Sequence, residues 1–275
     1  MQHIGLLYNP LSPETARAAD EIAAWLGARG VTTWRGVSHD AREDPGLIAG
    51  CELLVSLGGD GTILRAARLA IPNAIPLLPI ALGHLSFMAE VEPTAALTAL
   101  DHILRGDWWT EERALVEIEL RRAGVVEGRW TALNELLLAR AEMVRAVIVE
   151  VQIDGATLTT YHADGIIVAT ATGSTAYALA AGGPVLDPRS SALVLASVAP
   201  HLTIIPSLVV HETAVITLRL DSHYPALLSI DGQITVPLIQ HDEVVARRAT
   251  RTARFARVTD GATFYATLTR KLRRV

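Results

Sequence analysis

Apolar residues follow two different rhythms along this chain. In the first third, short solid apolar runs alternate with stretches whose apolar positions recur every three to four residues. The runs over 4–8, 31–34, 53–57 and 75–81 read as strands. The stretch over 13–29 reads as a helix with Ser12 as its cap and Gly30 as its stop, and 63–69 as a second helix opened by Thr62. Strands that alternate with helices imply a parallel sheet covered by helices. From about Ala114 the rhythm changes to β-type runs punctuated by turn residues, over 116–121, 133–139, 147–153, 166–169, 208–220, 227–230 and 234–238. Near the end, Phe264, Leu268 and Leu272 fall on one face of a helix that can lie back on the body of the protein. No internal repeat or low-complexity stretch interrupts this order. The expected organisation is an α/β domain over 1–105, a mostly β, sandwich-like domain over 106–254, and a returning segment over 255–275 that packs on the first domain.

Composition narrows the function classes. Half of the 275 residues are apolar, enough for real cores and too many for disorder. The net charge of −5 argues against a general nucleic-acid binder, although from Arg247 onward arginines dominate. That basic tail reads as a solvated face, with phosphates or a subunit partner as the alternatives. Cys51 is the only cysteine, so no internal disulfide is possible. With neither a signal peptide nor an apolar stretch of membrane-spanning length, the expectation is a cytoplasmic protein without membrane partners.

The chemistry concentrates in three places. Leu53 to Leu57 runs into Gly58-Gly59-Asp60-Gly61-Thr62, a strand that stops at a glycine turn carrying one carboxylate. Glycines let backbone N–H groups approach an anion, and a following helix adds the field of its N-terminus. A carboxylate beside phosphates must hold a cation or take a proton, which points to phosphoryl transfer. The same cluster also occurs as ordinary turn chemistry. The second place is Asp164 to Tyr177, a strand followed by a small-residue turn in which Thr172, Ser174 and Thr175 offer hydroxyls, Ala176 leaves room for a flat ring, and Tyr177 can stack on a base. Taken alone, that segment reads better as an ordinary Ser/Thr-rich helix cap followed by Ala178 to Ala181 packing as core. The third is Asn134-Glu135 at the head of an apolar strand, a polar pair that needs partners. The sequence Gly59-Asp60-Gly61-Thr62-Ile63-Leu64 lacks the third glycine of a dinucleotide fingerprint, and there is no Walker A lysine motif. The nine histidines are scattered without paired ligand spacing, so a protein metal cage is not expected; His162 and His201 are the two that fall in chemically interesting segments.

Taken together, these segments resemble the NAD kinases, also called inorganic polyphosphate/ATP-NAD kinases. The resemblance rests on Gly58-Gly59-Asp60-Gly61-Thr62, Gly83-His84-Leu85-Ser86-Phe87, Asn134-Glu135, Asp164 to Tyr177 with Ala181-Gly182-Gly183-Pro184, Ala199-Pro200-His201, and Asp231-Gly232-Gln233. Their order covers most of the chain. The glycine motif alone is shared with diacylglycerol and sphingosine kinases and with phosphofructokinases, whereas the Asp164 to Pro184 block is specific. The resemblance implies an NAD kinase/diacylglycerol kinase-like fold and transfer of a phosphoryl group from ATP or polyphosphate to the 2′-hydroxyl of the NAD adenosine ribose, giving NADP. Asp60 matches the catalytic aspartate, with Gly58, Gly59, Gly61 and Thr62 as the phosphate loop. Asp60, Gly61, Phe87, Asn134, Glu135, His162, Asp164, Thr172, Thr175, Ala176, Tyr177, Asp231 and Gln233 match positions around NAD, Asp164 on the nicotinamide side. Mg²⁺ carried mainly by the donor phosphates, and a homodimer or homotetramer whose neighbour completes the site, are implied as well.

Three departures from the family pattern stand out. Ala81 replaces an asparagine and Ser86 a glycine in the Asn-x-Gly-x-Leu-Gly-Phe segment, and the Arg-Pro after Pro200-His201 becomes Ile205-Pro206. Two further readings share these residues: a dinucleotide-binding relative without turnover, which would bind NAD and make no product, and a lipid kinase, which has no reason to carry the Asp164 to Tyr177 block.

Overall fold

The computed structural model describes residues 1–38, 45–82, 86–89, 91–142, 145–201, 205–259, 264, 265 and 268. The chain divides into two compact units, one formed by 1–112 with 253–275 and the other by 113–252.

The first unit contains β1 (His3–Tyr8), α1 (Pro13–Gly27), β2 (Thr32–Val37), β3 (Leu53–Gly58), α2 (Asp60–Ala70), β4 (Leu77–Ala81) and α3 (Ala96–Arg105). Its strands lie parallel in the order β2-β1-β3-β4. The central position of β3 explains its unbroken apolar run, since all six residues are buried. Helix α1 buries Thr15, Ala19, Ile22 and Leu26, one stripe at helical spacing, against Ile4, Leu6, Val55 and Leu57 in a single core. Helix α2 begins at Asp60 with Gly59 as its N-cap, so Thr62 is a buried residue of the first turn and not the cap. A carboxylate suits that position because the first turn carries partial positive charge.

The second unit is antiparallel. It is built from most of β5 (Trp109–Arg122), then β6 (Val125–Ala132), β7 (Glu135–Arg140), β8 (Val147–Ile153), β9 (Ala156–Ala163), β10 (Gly165–Ala169), the short α4 (Tyr177–Ala180), β11 (Leu193–Val198), β12 (Leu208–Val210), β13 (Ile216–Leu220), β14 (Ala226–Ile230), β15 (Ile234–Leu238) and the first part of β16 (Glu243–Arg257). One six-stranded sheet has the order β12-β11-β10-β7-β14-β15. The other strands pair β16 with β13, β13 with β8, β8 with β9, and β5 with both β16 and β6. One core draws on both sets, with Leu136, Leu138, Ile166 and Val168 from the six-stranded sheet meeting Val116, Val149, Leu218 and Val244. The opposite face of β10, through Ile167 and Ala169, packs on Ala178 of α4 and on Val194 and Ala196. Burial on both faces makes β10 a solid apolar run.

Several local readings change. The run over 208–220 is two strands, β12 and β13, separated at His211 to Val215. The basic stretch after Arg247 is largely the strand β16, with Arg247 paired to Glu117, Arg248 to Glu212, and Arg257 buried against Glu111. A strand explains it: the consecutive Arg247 and Arg248 project to opposite faces, and each meets a carboxylate of a neighbouring element. Strand β6, β9, β11 and helix α3 carry weaker patterns and were not legible. Of the expected closing helix, Phe264, Tyr265 and Leu268 are helical, and Leu272 lies outside the described residues.

Candidate active site

In the first unit, the site begins where β3 ends. Gly58 has φ of 154°, and a Cβ built there would lie 2.5 Å from Thr62 Oγ1, so only glycine lets the chain leave the strand with Thr62 packed beneath it. The turn places Asp60 at the C-terminal end of a central parallel strand and in the first turn of α2, the place where open α/β sheets bind ligands. The Asp60 carboxylate is held on both oxygens: the Ser86 hydroxyl donates to Oδ1, and the Phe87 N–H reaches Oδ2 at 3.4 Å. Ser86 Oγ in turn accepts the N–H groups of Met88 (3.2 Å) and Ala89 (2.9 Å). Phe87 is thus brought to Asp60; Gly83, His84 and Leu85 lie outside the described residues.

In the second unit, Asp231 organises the polar cluster. Ile230 to Gln233 form a tight hairpin turn between β14 and β15, with Asp231 and Gly232 at φ of 51° and 63° and Gln233 N–H donating to the Ile230 carbonyl. Those two positive φ values are the Asp-Gly signature of a type I′ turn, which matches the twist of the strands. The buried Asp231 carboxylate accepts the N–H groups of Leu133 (2.9 Å), Asn134 (2.7 Å) and Glu135 (3.1 Å). It therefore fixes the backbone that carries Asn134 and Glu135. Asn134 Oδ1 and Glu135 Oε2 are buried and find no hydrogen-bond partner among the described residues. Burial and the neighbouring Asp231 carboxylate push the Glu135 carboxyl up to about 8, so at neutral pH it is protonated and can donate.

The turn after β10 packs directly on this pair. The Thr170 N–H donates to the Asn134 carbonyl at 2.8 Å, and Thr170 Oγ1 donates to the Leu133 carbonyl. Gly173 stacks so closely that a Cβ would sit 2.1 Å from the Asn134 carbonyl oxygen. Gly173→Ala is accordingly expected to cost about 2–3 kcal/mol by overpacking, read as a lower urea midpoint. The hydroxyls here are partly committed: Ser174 Oγ donates to the Ala171 carbonyl, Thr175 Oγ1 to the Thr172 carbonyl at 3.2 Å, and Thr172 Oγ1 lies 3.5 Å from the buried Arg113 guanidinium. Ala176 is half-buried and Tyr177 is exposed. The structure thus gathers Asn134, Glu135, Thr172, Thr175, Ala176, Tyr177, Asp231 and Gln233 at one end of the β7/β10 pair.

Asp164 and His162 are not part of that gathering. The antiparallel register sets Gly165 opposite Ala139 and Ala169 opposite Glu135, which places Asp164 at the far end, roughly 16 Å along the strands. Asp164 is paired with Arg140 in a two-point contact of 2.8 and 3.1 Å. Exposed His162 bridges through its carbonyl to the His201 N–H at 2.6 Å. Ile205, at one of the departures, lies half-buried against the core of the second unit. Sequence reasoning missed Arg140, Thr170 and Arg113; the Asp-Gly turn was a readable signal for Asp231, but those three have none. Among the described residues, no group of three or more His, Cys, Asp or Glu side chains is placed to hold a metal ion. No helix of the described residues is long and apolar enough to cross a membrane.

A parallel α/β unit with an aspartate at its glycine turn, joined in one chain to an antiparallel β unit, defines a class of phosphotransferases. Comparison with known proteins agrees. The ATP-NAD kinase N-terminal domain matches residues 42–108 and the ATP-NAD kinase C-terminal domain residues 133–258. An NAD kinase of Chloroflexus aurantiacus is 53% identical over 274 residues, covering 100% of this chain and 99% of that protein. One from Dehalococcoides mccartyi is 37% identical over 271 residues, covering 98% and 95%. The fold is shared with yeast NADH kinase complexed with NADH (TM-score 0.83, 24% identity, 94% of this chain and 84% of that one). It is shared too with an NAD kinase from Archaeoglobus fulgidus in complex with ATP (TM-score 0.80, 23% identity, 100% of both chains). The chain belongs to the NAD kinase family. It is a phosphotransferase that acts on NAD to give NADP.

Proposed function

We propose that Asp60 is the base that takes the proton of the 2′-hydroxyl of the NAD adenosine ribose as the phosphoryl group of ATP or polyphosphate is transferred to it. The observation that carries this is a carboxylate at a strand end and helix start, held on both oxygens by Ser86 and Phe87. A sugar hydroxyl is a poor nucleophile, and phosphoryl transfer depends mainly on positioning and on neutralising charge. Gly58, Gly59, Gly61 and Thr62 shape the turn where first-turn N–H groups of α2 meet donor oxygens. The residues fit Mg²⁺ that arrives with its donor: they offer the single carboxylate of Asp60 and no protein cage among the described residues, the usual arrangement for an ion that keeps phosphates and waters as ligands. When bound, that ion offsets charge on the leaving phosphate.

The N-terminal α/β domain over 1–105 takes the phosphoryl donor, and the β-rich domain over 106–254 takes NAD. The unpartnered Asn134 Oδ1 and the protonated Glu135 present an acceptor and a donor to the adenosine, Gln233 and Asp231 frame them, and Tyr177 with Ala176 gives a flat surface for a ring. Phe87 lines the approach to Asp60. Asp164 and His162 stand at the far end of β10, which supports a nicotinamide half completed across a homodimer or homotetramer contact. A cytoplasmic location goes with this reading through the family resemblance.

The test is a coupled assay of NADP formation from NAD and Mg²⁺ with ATP or polyphosphate as donor. Asn134→Ala is expected to raise the KM for NAD about tenfold with a smaller change in kcat, since it removes a ground-state contact. An unchanged KM would move the adenosine elsewhere.

A further inference from the structure

Ser86 is 4% exposed, and its hydroxyl has all of its hydrogen-bonding capacity assigned. Its two lone pairs take the N–H groups of Met88 and Ala89, so its one proton has a single direction left, toward Asp60 Oδ1. The segment that carries it is itself anchored. The buried Arg257 reaches the Met88 carbonyl at 3.5 Å and pairs with Glu111 at 3.0 and 3.3 Å. Among the described residues, Asp60 Oδ2 has only the long contact from the Phe87 N–H. The carboxylate is therefore asymmetric, with one oxygen fixed by a charge-assisted hydrogen bond and the other weakly held.

We propose that Ser86 is a positioning residue for Asp60: by holding Oδ1 it fixes the carboxylate plane and leaves Oδ2 as the oxygen that faces the acceptor hydroxyl. This rests on the reading of Asp60 as the base. It gives a role to one of the three departures from the family pattern, where serine replaces glycine and adds a hydroxyl against the reacting group. Without that hydroxyl the carboxylate can turn about its last side-chain bond, and a misplaced base lowers the rate without altering how NAD is held.

The experiment compares the full-length wild type with Ser86→Ala, Ser86→Thr, Asp60→Asn and the double variant Ser86→Ala/Asp60→Asn, measuring kcat and KM for NAD separately and thermal midpoints alongside. Ser86→Ala is expected to lower kcat about tenfold with KM changed less than about twofold, and Ser86→Thr, which keeps the hydroxyl, to recover most of it. On the Asp60→Asn background, Ser86→Ala is expected to change kcat less than about twofold, because its effect passes through the carboxylate. Wild-type kcat in Ser86→Ala, or an equal loss on both backgrounds, overturns the inference and leaves Ser86 as a turn cap. Wild-type kcat in Asp60→Asn overturns the reading of Asp60 itself, and the inference with it.

Discussion

Asp60→Asn is expected to fold like the wild type and to lose about 10²- to 10⁴-fold in kcat, the range for removal of a positioned general base. The amide keeps the size of the carboxylate and its Oδ1 can still accept from Ser86; only the long Phe87 N–H contact is given up, so the turn after β3 and the first turn of α2 keep their main support. It cannot take the ribose proton, and it gives up the negative charge that draws a cation. The first-turn position adds a small opposing effect, since a carboxylate there is stabilised by about 0.3–1 kcal/mol. Turnover measured by NADP formation, beside a denaturation curve, separates chemistry from folding. Near-wild-type turnover would falsify the role given to Asp60; a collapsed denaturation midpoint would make it a structural residue first.

Glu135 sets an unusual pH dependence of stability. Its carboxyl is raised from an ordinary 4.5 to about 8, first by burial and then by the Asp231 carboxylate beside it. Below about pH 4.5 the folded and unfolded chains both hold the proton, and Glu135 adds no pH dependence. Between 4.5 and 8 the unfolded chain gives up its proton while the folded chain keeps it, so stability falls as pH rises. Above about 8 both forms are ionised and the full cost is present. At about 1.4 kcal/mol per tenfold change in proton affinity, the total approaches about 5 kcal/mol as an order of magnitude. Glu135→Gln, which is neutral throughout, is therefore expected to gain on the wild type from about pH 5 to pH 8 in urea unfolding and to level off above that. A gap that does not change with pH means Glu135 is ionised in the folded chain, and the donor assigned to it in NAD binding disappears with that result.

These two residues differ in how they could be found. The glycine turn around Asp60 was legible because every part of it is local: a buried strand, three glycines, a carboxylate and a helix follow one another within ten residues. The elevated carboxyl of Glu135 was not, because its causes are burial, which only the folded chain creates, and then Asp231, far along the chain on another hairpin. Arg140 gave no sign of its pairing with Asp164, nor Ser86 of its contact with Asp60, since neither pair is linked by any periodic spacing. Strands with clean alternation and clear turn signals, such as β8 and β15, appear with the bounds that periodicity assigns them. Strand β16 hid behind its arginines because charge alone cannot tell a solvated tail from a strand whose cations meet carboxylates on its neighbours.

By itself the sequence determined the two rhythms, the glycine turn with its single carboxylate, and the order of motifs that place the chain in its family. Each is a property of neighbouring residues, written in local sterics and in the period at which side chains turn toward water or core. Only the tertiary structure decided that the Glu135 carboxyl is raised, which hydroxyl holds Asp60, and that Asp164 stands at the opposite end of β10 from Asn134. Those are matters of burial and of a few ångströms between distant segments, and a proton's affinity or a hydrogen bond's direction depends on what the folded chain brings near.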